Sequence, residues 1–168
     1  MPAEPDDTAD DTAADTAARL RRLLDRADVV DLLDSYVGAL DRQRHTDSWL
    51  ESVFTEDAVV AFPMGTYVGI DGLRSFQELA RTTFARTHHS STNHRVDPDP
   101  DDPARATATA HLQAVHLPDA HDRTEHFAIG GHYTARVVRT ARGWRIARFD
   151  FDLVWTRGTP PGSNEHAR

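Results

Sequence analysis

A change of period at Thr87 constrains the fold of this chain more than any other feature. Upstream, apolar residues recur at helical spacing: Val30, Leu33, Val37 and Leu40 in one stretch, Leu73, Phe76, Leu79, Ala80 and Phe84 in another. From Thr87 onward the period changes to two, and strands are expected over segments 87–97, 104–117, 124–139 and 143–156. The run Asp97-Pro98-Asp99-Pro100-Asp101-Asp102, then Leu117-Pro118-Asp119-Ala120 and Ala141-Arg142-Gly143, supply the turns. Helices first and long antiparallel strands afterwards predict an α+β layout.

The upstream half resolves further. One long helix is expected from about Thr16 or Asp25 to Asp41, and a short one around Asp47 to Phe54. Ala58 to Phe62 reads as a strand, turned by Pro63-Met64-Gly65-Thr66 into a second at Tyr67-Val68. Asp71 caps a helix through Phe84. The 168 residues suit one domain. Residues 1–18, rich in Asp, Thr and Ala, read as a disordered acidic arm, 19–156 as the single domain, and 157–168 as a flexible tail.

Composition excludes several functions. The formal net charge of -8 argues against nucleic acid or an anionic membrane as partner. There is no cysteine, hence no thiol nucleophile or zinc-thiolate site. All 19 basic residues are arginine, so a lysine Schiff base, and pyridoxal phosphate held by one, are excluded. Ten histidines invite a metal, but no His-Glu-x-x-His spacing occurs and no metal or cofactor is expected. No apolar run approaches a membrane span, and the N-terminus lacks a signal-peptide pattern, so a cytoplasmic location is expected.

Chemistry concentrates at Asp41 and Thr87-His88-His89-Ser90-Ser91-Thr92-Asn93. Asp41 lies four residues beyond Val37 and continues the apolar stripe. A carboxylate there needs a partner, and an imidazole is the one that does acid/base chemistry at neutral pH. Strand alternation places Thr87, His89, Ser91, Asn93 and Arg95 on one face. In the next segment Ala106, Ala108, Ala110, Leu112, Ala114 and His116 share a face. Gly131, Tyr133, Ala135, Val137 and Arg139 do so in the third, and Phe149, Phe151, Leu153 and Trp155 in the fourth. Small residues on a core-facing sheet leave room for a pocket. His88, His94, His111, His121 and His126 are read as surface or interface residues.

Ala39-Leu40-Asp41, Thr87-x-His89-x-x-Thr92-Asn93, Gly130-Gly131-x-Tyr133-Thr134 and Gly143-Trp144 resemble the SnoaL-like branch of the nuclear transport factor 2-like superfamily. The resemblance covers roughly residues 25–156 and is nearest in motifs to scytalone dehydratase and hexachlorocyclohexane dehydrochlorinase. It implies a cone-shaped α+β barrel, with N-terminal helices packed on a strongly curved, mostly antiparallel sheet. It also implies a catalytic dyad of Asp41 and His89, with His116 as a second acid/base group and Arg139 as a substrate contact. Departures are visible: Leu40, Phe62 and Val137 stand where scytalone dehydratase has two tyrosines and an asparagine. The substrate must therefore differ.

The expectation is a cofactor-independent dehydratase, isomerase or cyclase acting on a hydrophobic, polyketide-type small molecule. Tyr133, Phe62, Phe149, Phe151, Leu153, Trp155, Asn93 and Arg139 are the candidate substrate contacts. The rival reading is a non-catalytic binding or assembly subunit, as in the small subunit of ring-hydroxylating dioxygenases. An epoxide hydrolase ranks lower, because Asp150 and Asp152 face away by parity. Self-association as dimer or trimer is expected, covering the outer face of the sheet.

Overall fold

The computed structural model describes residues 7–43 and 45–160. In chain order it contains α1 (Asp7–Arg42), α2 (Leu50–Val53), β1 (Phe54–Phe62), β2 (Gly65–Val68), α3 (Gly69–Thr83), β3 (Arg86–Pro98), β4 (Arg105–Leu117), β5 (Phe127–Thr140) and β6 (Gly143–Arg157). The strands form one six-stranded sheet in the order β2-β1-β6-β5-β4-β3. Among the described residues only the β1–β6 pairing is parallel. This helix-plus-curled-sheet arrangement is the expected cone-shaped α+β fold. None of its described helices is long and apolar enough to cross a membrane.

β4 shows why α1 can lie on the sheet. Ala106, Ala108, Ala110, Leu112 and Ala114 are buried, while Arg105, Thr107, His111 and Gln113 on the other face are exposed. Four alanines on the inner face keep the sheet surface low, so the helix approaches closely. Val29, Leu33, Tyr36 and Val37 of α1 form the facing layer. Tyr36 meets Phe54 and Phe149 edge-on, each at 5.2 Å between ring centres. The helical stripe is thus centred one residue away from the expected Val30 and Leu40, which are only partly buried.

Local departures from alternation in β3 and β6 help decide which side chains reach the inner face. In β3, Asn93 and His94 together oppose Ala110, and Asn93 has φ of 60°. Asparagine tolerates this left-handed conformation better than most residues. The bulge advances the strand by one residue, so His94 and Val96 turn inward and Asn93 and Arg95 outward. In β6, Gly131 pairs with Leu153 but Gly130 with Trp155, leaving Val154 extra. That second bulge puts Leu153 inside and Trp155 outside.

The ends differ from expectation as well. Residues 7–18 continue α1, so the part of the proposed disordered arm that is described is helical. Residues 1–6 of that arm, and 161–168 of the proposed tail, lie outside the described residues.

Candidate active site

The last turn of α1 brings Asp41 against the start of β3. His89 Nδ1 lies 2.7 Å from Asp41 Oδ1, and the His89 backbone N–H donates to Oδ2 at 2.8 Å. The Thr87 hydroxyl donates to Oδ1 at 2.9 Å. Three donors on one carboxylate offset the unfavourable position of an anion at a helix C-terminus. Burial pushes the Asp41 pKa up, but the hydrogen bonds and charge of His89, with Thr87, outweigh it and hold the carboxyl below the ordinary aspartate value. Asp41 is therefore ionised at neutral pH and accepts only. In the neutral imidazole this places the proton on Nδ1 and makes Nε2 the acceptor. The two side chains are 11% (His89) and 20% (Asp41) exposed, shielded yet reachable.

His116 stands beside this pair. It opposes Thr87 across the β3–β4 ladder, and its ring meets the His89 ring edge-to-face with 5.5 Å between centres. Its Nδ1 is 3.3 Å from the Phe127 carbonyl oxygen, and Phe84 packs on the ring at 4.6 Å. The neighbouring rows of the inner face carry Ala114 and Ile129, then Ser91, Leu112, Gly131 and Leu153. Gly131 cannot carry a side chain: a Cβ there would run into the Asp152 carbonyl oxygen and sit 3.0 Å from Phe151 Cζ. Ala114 and Gly131 thus keep the surface beside His89 low.

A second polar chain lies two turns of the helix back, at Asp34, and the sequence reading missed most of it. Ser91 Oγ is 2.9 Å from both His94 Nε2 and the Tyr133 hydroxyl. Asp34 Oδ1 approaches His94 Nε2 at 3.5 Å. The Tyr133 ring stacks on Phe149 at 4.7 Å. Burial pushes the Tyr133 phenol up to about 12, against the Ser91 bond which lowers it, so it remains a hydrogen-bond donor at neutral pH. Strict alternation sent His94 to the surface; its side chain is in fact only 12% exposed. The available signal was the asparagine inside a strand, a bulge residue by conformational preference.

Other expected contacts fall elsewhere. Asn93 is exposed at the bulge. Trp155 covers Gly130 on the outer face and is 42% exposed. Arg139 pairs with Asp25 and lies over the Trp144 ring at 4.4 Å. Asp25 precedes Asp41 by sixteen residues of helix, roughly 24 Å, so Arg139 joins α1 near its middle, far from the dyad. Phe62, Phe149 and Phe151 do gather on the inner side, with ring centres 6.1 and 6.2 Å from Phe62, but Phe149 is fully buried core. A cavity of about 350 Å³ also lies at the Trp144 end, lined by Arg22, Arg26, Val96 and Arg105, rather than at the dyad. Among the described residues no group of three or more His, Asp or Glu side chains is placed to hold a metal ion.

The sequence matches the SnoaL-like domain family over residues 21–150. The chain belongs to that family. No curated protein sequence matches it. Among solved structures, a protein of Kribbella flavida is similar at 26% identity, with 81% of this chain and 95% of that one covered and a TM-score of 0.71. A putative aromatic ring hydroxylase of Novosphingobium aromaticivorans is also 26% identical, covering 82% and 94% of the two chains, TM-score 0.71. A putative scytalone dehydratase of the same organism shares 22% identity over 86% and 98%, TM-score 0.71. At that identity the likeness shows the fold; the chemistry has to be argued from the side chains.

Proposed function

We propose that this SnoaL-like protein is a cofactor-independent acid/base enzyme, a lyase or isomerase of dehydratase or cyclase type, acting on a hydrophobic small molecule. One observation carries the reading: the Asp41–His89 bond of 2.7 Å, made by an ionised carboxylate to the ring nitrogen that leaves Nε2 basic. In an elimination, His89 Nε2 takes a proton from a carbon next to a carbonyl. The C–H electron pair becomes the new double bond. The leaving hydroxyl departs with its own pair and, protonated by His116, leaves as water. Without a leaving group, return of the proton to another carbon gives isomerisation. Ser91, whose hydroxyl is bonded to that of the fully buried Tyr133, is the donor for a developing oxyanion.

The low surface at Ala114 and Gly131 and the apolar side chains of Leu112, Ile129, Leu153 and Phe151 suit a flat, apolar substrate of the polyketide-derived kind. The structural relatives named for a dehydratase agree with an elimination but do not name this substrate. Incubating the enzyme in deuterated water with a panel of cyclic β-hydroxy ketones tests it. Deuterium entry or water loss is expected with the native enzyme and not with His89→Ala. Equal rates in both would overturn the assignment.

A non-catalytic binding subunit is the second reading, favoured by the packing of Phe62, Phe76, Phe149 and Tyr133 on one another. It gives no reason for three hydrogen bonds converging on Asp41.

A further inference from the structure

The stripe that α1 buries does not stay apolar along its length. Tyr36, Leu33 and Val29 are buried against the sheet, and the same alternation of three and four residues continues back to Arg26, Arg22 and Arg19. Arginines of a surface helix ordinarily take its solvent face. These three instead line the cavity of about 350 Å³ at the Trp144 end, where Val96, Pro98, Ala106 and Trp144 form an apolar wall. Trp144 is 5% exposed, and its Nε1–H is buried and meets no acceptor among the described residues. A buried donor left in this way is uncommon and costs free energy.

The cavity is opposite in charge to the chain around it. The chain carries a formal net charge of -8, yet among the described residues lining the cavity four are arginine and Asp25 alone is acidic. Asp25 is held by Arg139, and Arg105 by Asp102 at 3.0 Å. The acids of the adjoining turn are engaged too: Asp97 with Arg95, and Asp99 with the backbone N–H groups of Asp101 and Asp102. Arg26 donates to the His94 carbonyl oxygen at 3.2 Å, a neutral partner. Arg19 and Arg22 pair with no carboxylate among the described residues. Arg19, Arg22 and Arg26 thus stand without a counter-charge along about 10 Å of helix, beside an apolar wall. The guanidinium fork matches the oxygens of a carboxylate or phosphate.

We propose that this cavity is a second ligand site, separate from the dyad, for a small molecule that joins an apolar ring system to a doubly charged oxyanion, in chemical class an aryl phosphate. The oxyanion is taken by Arg19, Arg22 and Arg26, and the ring lies against Val96, Pro98 and Trp144. Two charges on one group answer more than one guanidinium, which a single carboxylate does not. The volume is that of a small-molecule pocket. Arg26 precedes Asp41 by fifteen residues, roughly 22 Å of helix, so a molecule bound here leaves the dyad open.

Isothermal titration calorimetry of the full chain with naphthyl phosphate at low ionic strength tests the site. Saturable binding below millimolar concentration is expected. Arg19→Gln/Arg22→Gln is expected to weaken it by about tenfold or more, since each lost guanidinium removes a charge-assisted hydrogen bond. Both arginines are exposed, so the variant is expected to keep the native near-ultraviolet circular dichroism. His89→Ala is expected to bind as the native chain does, which separates this site from the dyad. Naphthylmethanol, which lacks the charge, and inorganic phosphate, which lacks the ring, are each expected to bind about tenfold more weakly or worse. No binding at millimolar concentration, equal affinity in Arg19→Gln/Arg22→Gln, loss of binding in His89→Ala, or equal affinity for either comparison compound would each overturn the proposal.

Discussion

Asp41 is a charged group at the wrong end of a helix, half-buried, and it stays ionised because three donors are aimed at it. Its pKa is lower in the folded chain than in the unfolded one, where an aspartate titrates near 3.9. The unfolded state therefore binds the proton first as pH falls. The stability that Asp41 contributes is present above the unfolded value and is lost as pH drops through the lower folded value. In Asp41→Asn that part of the acid limb is absent. Urea denaturation of the two proteins at pH 7 and pH 3 is expected to show a smaller loss of stability in the variant; equal losses would mean the carboxylate is not held as described. Of the residues at this site, Asp41, His89 and His116 were legible from pattern. Thr87 belonged to the motif but gave no sign of bonding the carboxylate, since a hydroxyl on a strand has many partners to choose from.

The later strands were readable nearly to their ends, because small or apolar residues alternate with polar ones along β4 and much of β5 and β6. What alternation cannot reveal is a bulge, which inserts one residue and exchanges the faces beyond it. Asn93 and Val154 did this: His94 and Val96 came in, and Asn93, Arg95 and Trp155 went out. The Asn93 bulge is what lets Ser91 and His94 bond each other from one face of the strand. Its left-handed φ makes a specific prediction. Asn93→Gly is expected to fold with unchanged stability within error, while Asn93→Val is expected to cost about 1–3 kcal/mol by the strain of a branched residue at positive φ. Thermal melts read both. A harmless Asn93→Val would show that β3 runs straight and that His94 faces solvent. The start of α1 was missed for a different reason: Asp, Thr and Ala in mixture carry no apolar period, so a helix without a buried face looks like a disordered segment.

Seen together, the fold holds a dyad near the end of a long helix, over a sheet whose inner face is low at Ala114 and Gly131 and apolar around them. The family likeness was readable because helix-end aspartate, strand histidine and glycine pair stand in one order along the chain. The end-to-end arrangement was not: Arg139 shares a strand with Tyr133, yet it joins Asp25 near the middle of α1, far from the dyad, since a strand spans the molecule and parity says nothing of depth. The account stands on the dyad acting as a unit, and a double-mutant cycle on turnover, with a substrate from the deuterium screen, tests that most directly. His89→Ala and Asp41→Asn are each expected to lower kcat by at least ~10²-fold, with the double variant no slower than His89→Ala alone, because Asp41 acts through the imidazole. Near-native turnover in both single variants, or losses that multiply in the double, would contradict it.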